Sequence, residues 1–212
     1  MSAGFSFECV DAHGEPYAVT PTLGFTVRIA ETTGATVHTF ALRCQIRIEP
    51  QRRGYSADEA ERLADLFGAP ARWDHTLRPM QLATVSTLVP GFTGTIEIQV
   101  PVPCGYDLEV ASTRYFQALD DGTVALLLLF SGTAFLADRA NGSGYTVQQV
   151  PWSAESRYRM PVAVWREMVD RDFPGSAWLR CSRETLDALG RFKSRHALPT
   201  WDSTLRTLLE SR

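Results

Sequence analysis

The sequence predicts an α+β fold, with antiparallel β-sheet over the first two thirds of the chain and packed helices in the last quarter. Apolar and polar side chains alternate over residues 23–29 and again over 40–48, and a period of two gives a strand one buried face. After residue 160, apolar side chains recur at helical spacing instead. We therefore expect a single domain over residues 1–212, mainly sheet over 1–160, with the helical part, 161–212, packed on that sheet.

The predicted strands are separated by turn residues. Residues 31–35 contain Thr-Thr-Gly, so the strands on either side are expected to form a hairpin. Pro101 and Pro103 are expected to stop the strand that begins near Ile96, because proline cannot donate to a ladder. Further strands are expected over 82–89, 106–110, 145–150 and 153–160, with turns at 120–122 and 141–144. The turn Asp120-Asp121-Gly122 is expected to be a hairpin turn.

The apolar run from Thr123 to Leu136 suits a central strand covered on both faces. Such a strand is compatible with a sandwich, with a barrel or with an interface between copies of the chain, so closure of the sheet and a homo-oligomer are both left open. These alternatives differ in long-range pairing, which a local pattern does not specify.

Helix signals occur once inside the sheet region and three times after it. Ser56 and Glu59 have the spacing of a capping box, so a short inserted helix should begin at Ala57 and end near Gly68. In the last quarter Pro161 suits the first position of a helix. Ser182 and Thr200 are expected to cap two more.

Composition excludes several classes of protein. The 212 residues carry 21 basic and 24 acidic side chains, a net charge of −3, which provides no field for nucleic acid. The longest apolar run, Val124 to Phe130, is far shorter than the ~20 residues of a membrane helix, so no membrane insertion is expected. Residues 1–11 lack the basic residues of a secretory signal, and the four cysteines are scattered. Both features favour a cytoplasmic protein with reduced thiols.

Residues with catalytic or metal-binding chemistry are few. The histidines and cysteines are scattered, with no Cys-x-x-Cys pair, so a metal site would need ligands from distant segments and no metal or cofactor is expected. Cys104 stands between two expected strands and is the best candidate for a nucleophile, although free cysteine is most often a buried core residue. The chain also lacks nucleotide-binding and nucleophile-elbow motifs. We therefore expect a protein that is not an enzyme.

A polar and aromatic stretch at the join between sheet and helices is the candidate partner-binding surface. Trp, Tyr and Arg dominate the energetics of protein–protein interfaces. The alternative is that both tryptophans belong to the core and the charges coat an edge strand. The six candidate residues are Trp152, Glu155, Arg157, Tyr158, Arg159 and Trp165.

Several short motifs spread over nearly the whole chain carry a resemblance to a known family. They are Pro50-x-x-Arg53-x-Tyr55, Leu66-Phe67-Gly68-Ala69-Pro70-x-x-Trp73, Val89-Pro90-x-Phe92-Thr93-Gly94, Pro101-Val102-Pro103-Cys104-x-Tyr106-Asp107-x-Glu109-Val110, Val150-Pro151-Trp152 and Tyr158-Arg159-x-Pro161-Val162-x-Val164-Trp165. The set resembles an uncharacterised family of actinobacterial proteins often encoded beside nickel–iron hydrogenase genes. The resemblance implies an accessory role in making, assembling or tethering such an enzyme, and it supplies no catalytic residues.

A second resemblance covers only the C-terminal quarter. Phe173-Pro174-Gly175, Trp178-Leu179-x-Cys181 and Glu184-Thr185-Leu186 follow a proline-started helix, an order similar to that of SecB-type export chaperones. It implies an antiparallel sheet that carries two helices and holds unfolded chains in apolar grooves. The inserted helix at Ala57 departs from that pattern.

Three functions follow from these observations. The first is a non-enzymatic, chaperone-like module that binds a protein partner, with a hydrogenase subunit as the candidate. The second is a small-ligand site between sheet and helices, which would need convergent polar groups in an apolar pocket. The third is a cysteine-dependent enzyme that uses Cys104.

Overall fold

The computed structural model describes residues 4–104, 110–137, 144–175 and 180–211. The strands in this part of the chain are Phe5–Gly14 (β1), Thr22–Glu31 (β2), Thr36–Ile48 (β3), Met80–Val89 (β4), Phe92–Thr93 (β5), Thr95–Pro103 (β6), Thr123–Ala137 (β7), Tyr145–Gln149 (β8) and Glu155–Pro161 (β9). The helices are Ala57–Phe67 (α1), Trp73–Thr76 (α2), Ala111–Gln117 (α3), Val162–Asp172 (α4), Arg183–Arg195 (α5) and Trp201–Glu210 (α6). The chain divides into two compact units, residues 1–177 and 178–212, and each is described by itself.

Two antiparallel sheets form the first unit. The smaller sheet has the order β1-β2-β6. The larger has the order β4-β3-β7-β8, with β5 also paired to β3 and β9 also paired to β7. Side chains from both sheets belong to one buried cluster, in which Phe25 and Ile29 of the smaller sheet join Phe40, Ile46 and Leu126 of the larger. The predicted α+β fold with antiparallel sheet is confirmed, and the sheets are open.

The turn at residues 31–35 is confirmed, but the predicted hairpin around it is wrong. β2 pairs with β1 and β6, whereas β3 pairs with β4, β5 and β7. The turn therefore carries the chain from one sheet to the other. The buried Glu31 carboxylate organises it by accepting hydrogen bonds from the backbone N–H of Thr33 (2.9 Å) and of Ala35 (2.8 Å). Burial alone raises the pKa of Glu31, but the hydrogen bonds from Thr33, Ala35 and Gly34 outweigh it and hold that pKa below its usual value.

Two further expectations in the sheet region need correction. β6 continues through Pro101 and Pro103, which pair with Gly24 and Thr22. Both prolines are tolerated because β6 is an edge strand that pairs on one side only. The turn at residues 120–122 joins α3 to β7 and not one strand to another.

Parts of two expected elements fall where the structure gives no description. The expected strand at 106–110 and the turn at 141–144 lie largely outside the described residues, at 105–109 and 138–143. Val110 is described, and it immediately precedes α3. Neither α3 nor β1 was indicated by the sequence pattern.

β7 is the central strand of the larger sheet, as its apolar run predicts. Its inward side chains, such as Leu126 and Leu128, are fully buried. On the outward face Ala125 is buried but Leu127 and Leu129 are only half-buried, so the expected cover on both faces is incomplete on the outer face. At Gly132, which has φ +148°, the backbone of β3 passes so close that a Cβ atom would lie 2.1 Å from the carbonyl oxygen of Ala41.

The inserted helix α1 forms where the sequence predicts it. The Ser56 Oγ accepts from the Glu59 N–H at 3.1 Å, and the Ser56 N–H donates to Glu59 Oε2 at 3.0 Å, which completes the capping box. The helix ends at Gly68, in a positive-φ conformation suited to glycine. α4 begins directly after Pro161 and packs against β1, β2 and β9, so this predicted helix does lie on the sheet region.

The second unit contains the two predicted C-terminal helices. Ser182 caps α5 by accepting from the Thr185 N–H, and Thr200 caps α6 by accepting from the Ser203 N–H, both at 3.1 Å. The extended piece expected at residues 178–181 is only partly described. That these helices pack on the sheet, and that the whole chain is a single domain, stay predictions.

Candidate functional site: the outer face of the larger sheet

The edge of the larger sheet is interrupted at the predicted partner-binding stretch. β8 and β9 both pair with β7, on the same side and one after the other. Between them the chain loops out, and the loop is closed by hydrogen bonds from the Val150 N–H to the Gly132 carbonyl and from the Phe130 N–H to the Ala154 carbonyl, each 2.9 Å. Trp152 lies in this loop with 94% of its surface exposed. A large aromatic side chain is therefore presented to solvent at the sheet edge.

Alternation along β9 divides four of the other five candidate residues. Glu155, Arg157 and Arg159 are exposed, on the outer face. Tyr158 is half-buried, and burial, with the nearby Asp11 carboxylate, raises the pKa of its hydroxyl. Trp165, the remaining candidate, is 6% exposed and lies in the core.

Trp165 is the residue that sequence reasoning misplaced. Its ring stacks on that of Phe116, with centroids 5.6 Å apart and planes 13° apart. The alternative that both tryptophans are core residues thus holds for Trp165 and fails for Trp152. Four of the six candidates, Trp152, Glu155, Arg157 and Arg159, lie on an exposed surface.

Two arginines of β3 belong to the same face, although they were not among the candidates. The strand register places Leu127 between Arg47 of β3 and Arg157 of β9. Since neighbouring strands are ~4.8 Å apart, the backbones of these two arginines are about 10 Å apart. Arg43 lies two residues before Gln45 on the same side of β3, opposite Ser131. The sequence did contain a signal for these two arginines, because the period-two alternation over residues 40–48 places both on the polar side of the strand.

We call the outward side chains Arg43, Arg47, Arg157 and Arg159 the arginine face. Among the outward residues of β3, β7 and β9, the acidic side chain that accompanies them is Glu155. The face is therefore locally basic in a chain whose net charge is −3. Arg157 is held by Glu155 at 2.5 Å and lies 3.9 Å from Glu49. Arg43 and Arg159 form no ion pair with another described residue.

A protein-family model matches nearly the whole chain, including the arginine face and Trp152. The model of the family of unknown function DUF6084 matches residues 2–212. The chain belongs to this family. No curated protein shows a significant sequence match to this DUF6084 chain.

Two solved β-glucosidase structures are remotely similar to the DUF6084 chain. A selenomethionine-labelled β-glucosidase from Kluyveromyces marxianus is 8% identical over 74% of this chain and 15% of that one, with a TM-score of 0.24. β-Glucosidase 3B from Thermotoga neapolitana, in complex with α-D-glucose, is 15% identical over 73% of this chain and 17% of that one, with a TM-score of 0.26. The chain thus spans less than a fifth of either enzyme, and these scores carry no argument about its fold or function.

The geometry gives little support for a metal site, or for a small-ligand site in the first unit. Over residues 4–104, 110–137, 144–175 and 180–211, no three His, Cys, Asp or Glu side chains are placed to bind a metal ion, and none of the helices there is long and apolar enough to cross a membrane. A cleft of about 330 Å³ lies between α1 and α3. Its arginines already pair with carboxylates, Arg62 with Asp120 and Arg114 with Asp65. Four of its five lining residues are polar or charged, and the fifth is Ala118, whereas ligand pockets are typically lined by apolar and aromatic side chains.

The thiols of the first unit are held in their neutral form. Burial raises the pKa of Cys9 and of Cys44 to about 12, and that of Cys104 to about 11. The Cys104 Sγ donates a weak hydrogen bond to the Val102 carbonyl at 3.4 Å. A nucleophilic cysteine needs the opposite environment, one that lowers the pKa of the thiol. The geometry therefore does not favour Cys104 as a nucleophile.

Alkylation rates should separate the four cysteines. A thiol with a pKa near 11 is only ~0.1% thiolate at pH 8. Cys9 and Cys44 are also buried and Cys104 is half-buried, whereas Cys181 is exposed. With iodoacetamide at pH 8, mass spectrometry should show Cys181 modified about tenfold or more faster than Cys104. In guanidinium the four rates should converge. Equal rates for Cys104 and Cys181 in the folded protein would contradict the burial described here.

Proposed function

We propose that this DUF6084 chain is a non-enzymatic, cytoplasmic accessory protein that binds a protein partner through the arginine face and Trp152. The observation that carries the proposal is the gathering of four arginines on one exposed sheet face, together with a tryptophan that is 94% exposed in the loop leading into β9. Trp and Arg are the residue types most enriched at interface hot spots. A solvated face has no need to expose a tryptophan, which supports a role in recognition.

The charge of the face specifies the chemistry of the partner. Arg43 and Arg159 have no carboxylate partner among the described residues, so both are available to pair with acidic groups. A guanidinium binds a carboxylate through two parallel hydrogen bonds, which adds geometric specificity to attraction. The half-buried Leu127 and Leu129 lie between β3 and β9 and offer an apolar strip. We therefore expect an acidic protein surface with an apolar centre.

The resemblance to a family encoded beside nickel–iron hydrogenase genes supports a hydrogenase subunit as that partner. In this proposal the protein acts as a chaperone-like factor during assembly or maturation of the enzyme. An immature subunit exposes apolar surface until its own partners cover it, so a holding protein combines apolar contacts with charge complementarity.

Charge reversal on the arginine face should abolish retention of the partner. The experiment is co-purification of neighbouring hydrogenase subunits with tagged full-length protein, comparing wild type with Arg43→Glu/Arg159→Glu. We expect loss of the subunits, because like charges then face each other across the interface. Trp152→Ala should weaken binding by about 2 kcal/mol, roughly thirtyfold. Retention should also fall with added salt.

The matched control is Arg72→Glu, which reverses an exposed arginine on the short helical turn Pro70–Arg72. It should leave retention unchanged, and all variants should keep the wild-type unfolding temperature. The proposal is wrong if wild-type protein retains no subunit and deletion of the gene leaves hydrogen uptake intact. It is equally wrong if Arg72→Glu and the double variant reduce retention to the same extent.

A further inference from the structure

The outer face of β7 carries an apolar strip with arginines on both sides. Leu127 and Leu129 lie on this face and are half-buried. The strand register places Arg47 of β3 and Arg157 of β9 directly opposite Leu127, one on each side. The backbones of these two arginines are about 10 Å apart, and an α-helix with its side chains is about 10–12 Å across. The strip therefore has the width of one helix.

The length of the strip corresponds to a short helix. Arg159 lies opposite Ala125 at one end, and Arg43 lies opposite Ser131 at the other. Because extended backbone rises about 3.4 Å per residue, these two ends are about 20 Å apart. A helix rises about 1.5 Å per residue, so about 14 residues cover the same distance. All four members of the arginine face are then within reach of the flanks of one helix.

An occupant of this face has to satisfy its own backbone hydrogen bonds. β7 pairs with β3 on one side and with β8 and β9 on the other, so the backbone groups along the strip already have partners. An extended segment lying flat on the strip would leave its own N–H and C=O groups without backbone partners. A helix satisfies these groups internally. A helix therefore fits the face better than an extended peptide does.

Charge is uneven along the strip and gives the occupant a direction. Three members of the arginine face lie at the end near Ala125, whereas Arg43 lies at the other end, with the acidic Glu155 between. The carboxylate of Glu49 is also near the Ala125 end, but it is buried and lies 2.9 Å from Arg52. The C-terminus of a helix carries partial negative charge. It should therefore lie at the Ala125 end, so that the helix runs antiparallel to β7.

We propose that the arginine face binds an amphipathic helix of about 14 residues, with apolar side chains on the strip and carboxylates along both flanks. Its N-terminus lies nearest Trp152, in the loop whose two ends bond to Gly132 and Phe130. Charge complementarity selects this occupant, because a basic helix would be repelled and a neutral one would leave Arg43 and Arg159 without a carboxylate. The inference rests on the proposed function, since it specifies the shape of the segment that the same site recognises.

Calorimetric titration of full-length protein with synthetic peptides tests this inference. The probe is an end-capped peptide of about 14 residues, with leucines along one helical face and glutamates along both flanks. One control peptide has lysine in place of every glutamate, and another has a central proline, which breaks the helix. The probe should bind about tenfold or more tightly than either control, and Arg159→Glu should weaken its binding by a similar factor. Arg72→Glu, which lies outside the sheet, should leave the affinity unchanged.

Nuclear magnetic resonance gives the direction of the bound helix. A nitroxide at the N-terminal end of the probe should broaden the amide signal of Trp152, and a nitroxide at the C-terminal end should broaden that of Ala125. The reverse pattern would overturn the assigned direction. Broadening at neither amide would place the peptide elsewhere and overturn the site.

The outcomes separate this inference from the proposed function. The helix inference is wrong if the probe fails to bind at up to ~1 mM, or if the proline-containing peptide binds equally well. The proposed function still stands in that case if Arg43→Glu/Arg159→Glu releases the co-purified subunits. Conversely, the proposed function is wrong and the helix-binding site stands if the probe binds as expected while wild-type protein retains no subunit and gene deletion leaves hydrogen uptake intact.

Discussion

Gly132→Ala is expected to destabilise the protein by about 4 kcal/mol or more, enough to unfold a marginally stable domain. A Cβ at this position would lie 2.1 Å from the carbonyl oxygen of Ala41, and φ is +148°. The obstructing atom is backbone at the centre of the β3–β7 ladder, so it cannot rotate away as a side chain could. Urea denaturation followed by circular dichroism measures the change in free energy of unfolding.

Gly122→Ala is the matched control. Gly122 also has a positive φ, +83°, but nothing lies within 4 Å of its Cβ position. That variant should cost only the strain of the left-handed backbone, about 1–2 kcal/mol. Equal losses for the two variants would show that backbone conformation, and not the close approach of β3 to β7, sets the requirement for glycine at position 132.

Glu59→Ala is expected to cost about 3–5 kcal/mol, because it removes one partner of a buried ion pair. Glu59 is 4% exposed. Its Oε1 accepts from Arg53 Nη2 at 2.7 Å and from the Asp120 N–H at 2.9 Å. The Nη1 of Arg53 is buried without a hydrogen-bond partner, so the guanidinium depends on this carboxylate. Loss of Glu59 would leave a buried positive charge beside the Tyr55 ring and would also break the capping box of α1.

Thermal unfolding of Glu61→Ala supplies the comparison on the same helix. Glu61 is exposed, and its replacement should change stability by no more than about 0.5 kcal/mol.

The double variant Arg53→Ala/Glu59→Ala should lose less stability than the sum of its two single variants, since each single change leaves the other charge buried without its partner. If the stability losses of the two single variants simply add up to that of the double variant, the ion pair between Arg53 and Glu59 contributes nothing of its own to stability.

Strands and caps were predictable because their signals are local. The alternation in β3 and the spacing of Ser56 and Glu59 depend only on neighbours in sequence. The pairing of β2 with β6, and of β3 with β7, depends on segments far away, so a turn that resembles a hairpin turn connects two sheets. β1 was missed although Phe5 and Phe7 alternate, because Glu8 and Asp11 obscured the pattern. α3 was missed because Thr113, Tyr115 and Phe116 suit strands as well as helices.

The candidate site was predictable in part for the same reason. Trp152, Arg157 and Arg159 were found because they are close together in sequence. Arg43 joins them only through the β3–β7–β9 register, which no local pattern reveals. Trp165 belongs to the same polar and aromatic stretch as Trp152, and only the stacking of its ring on Phe116 shows that one ring is in the core while the other is exposed.

The order of strands in the larger sheet also determines when the protein can fold during synthesis. Ile48 pairs with Leu126, and Val37 with Leu136, so β3 leaves the ribosome long before its central partner exists. At ~5–20 residues per second the delay is about 4–20 s. Throughout that time β3 can pair only with β4 and β5, and the edge of β3 that later pairs with β7 stays unpaired. The nascent chain is therefore most prone to aggregate before β7 emerges, and its folding rate should be limited by these distant contacts.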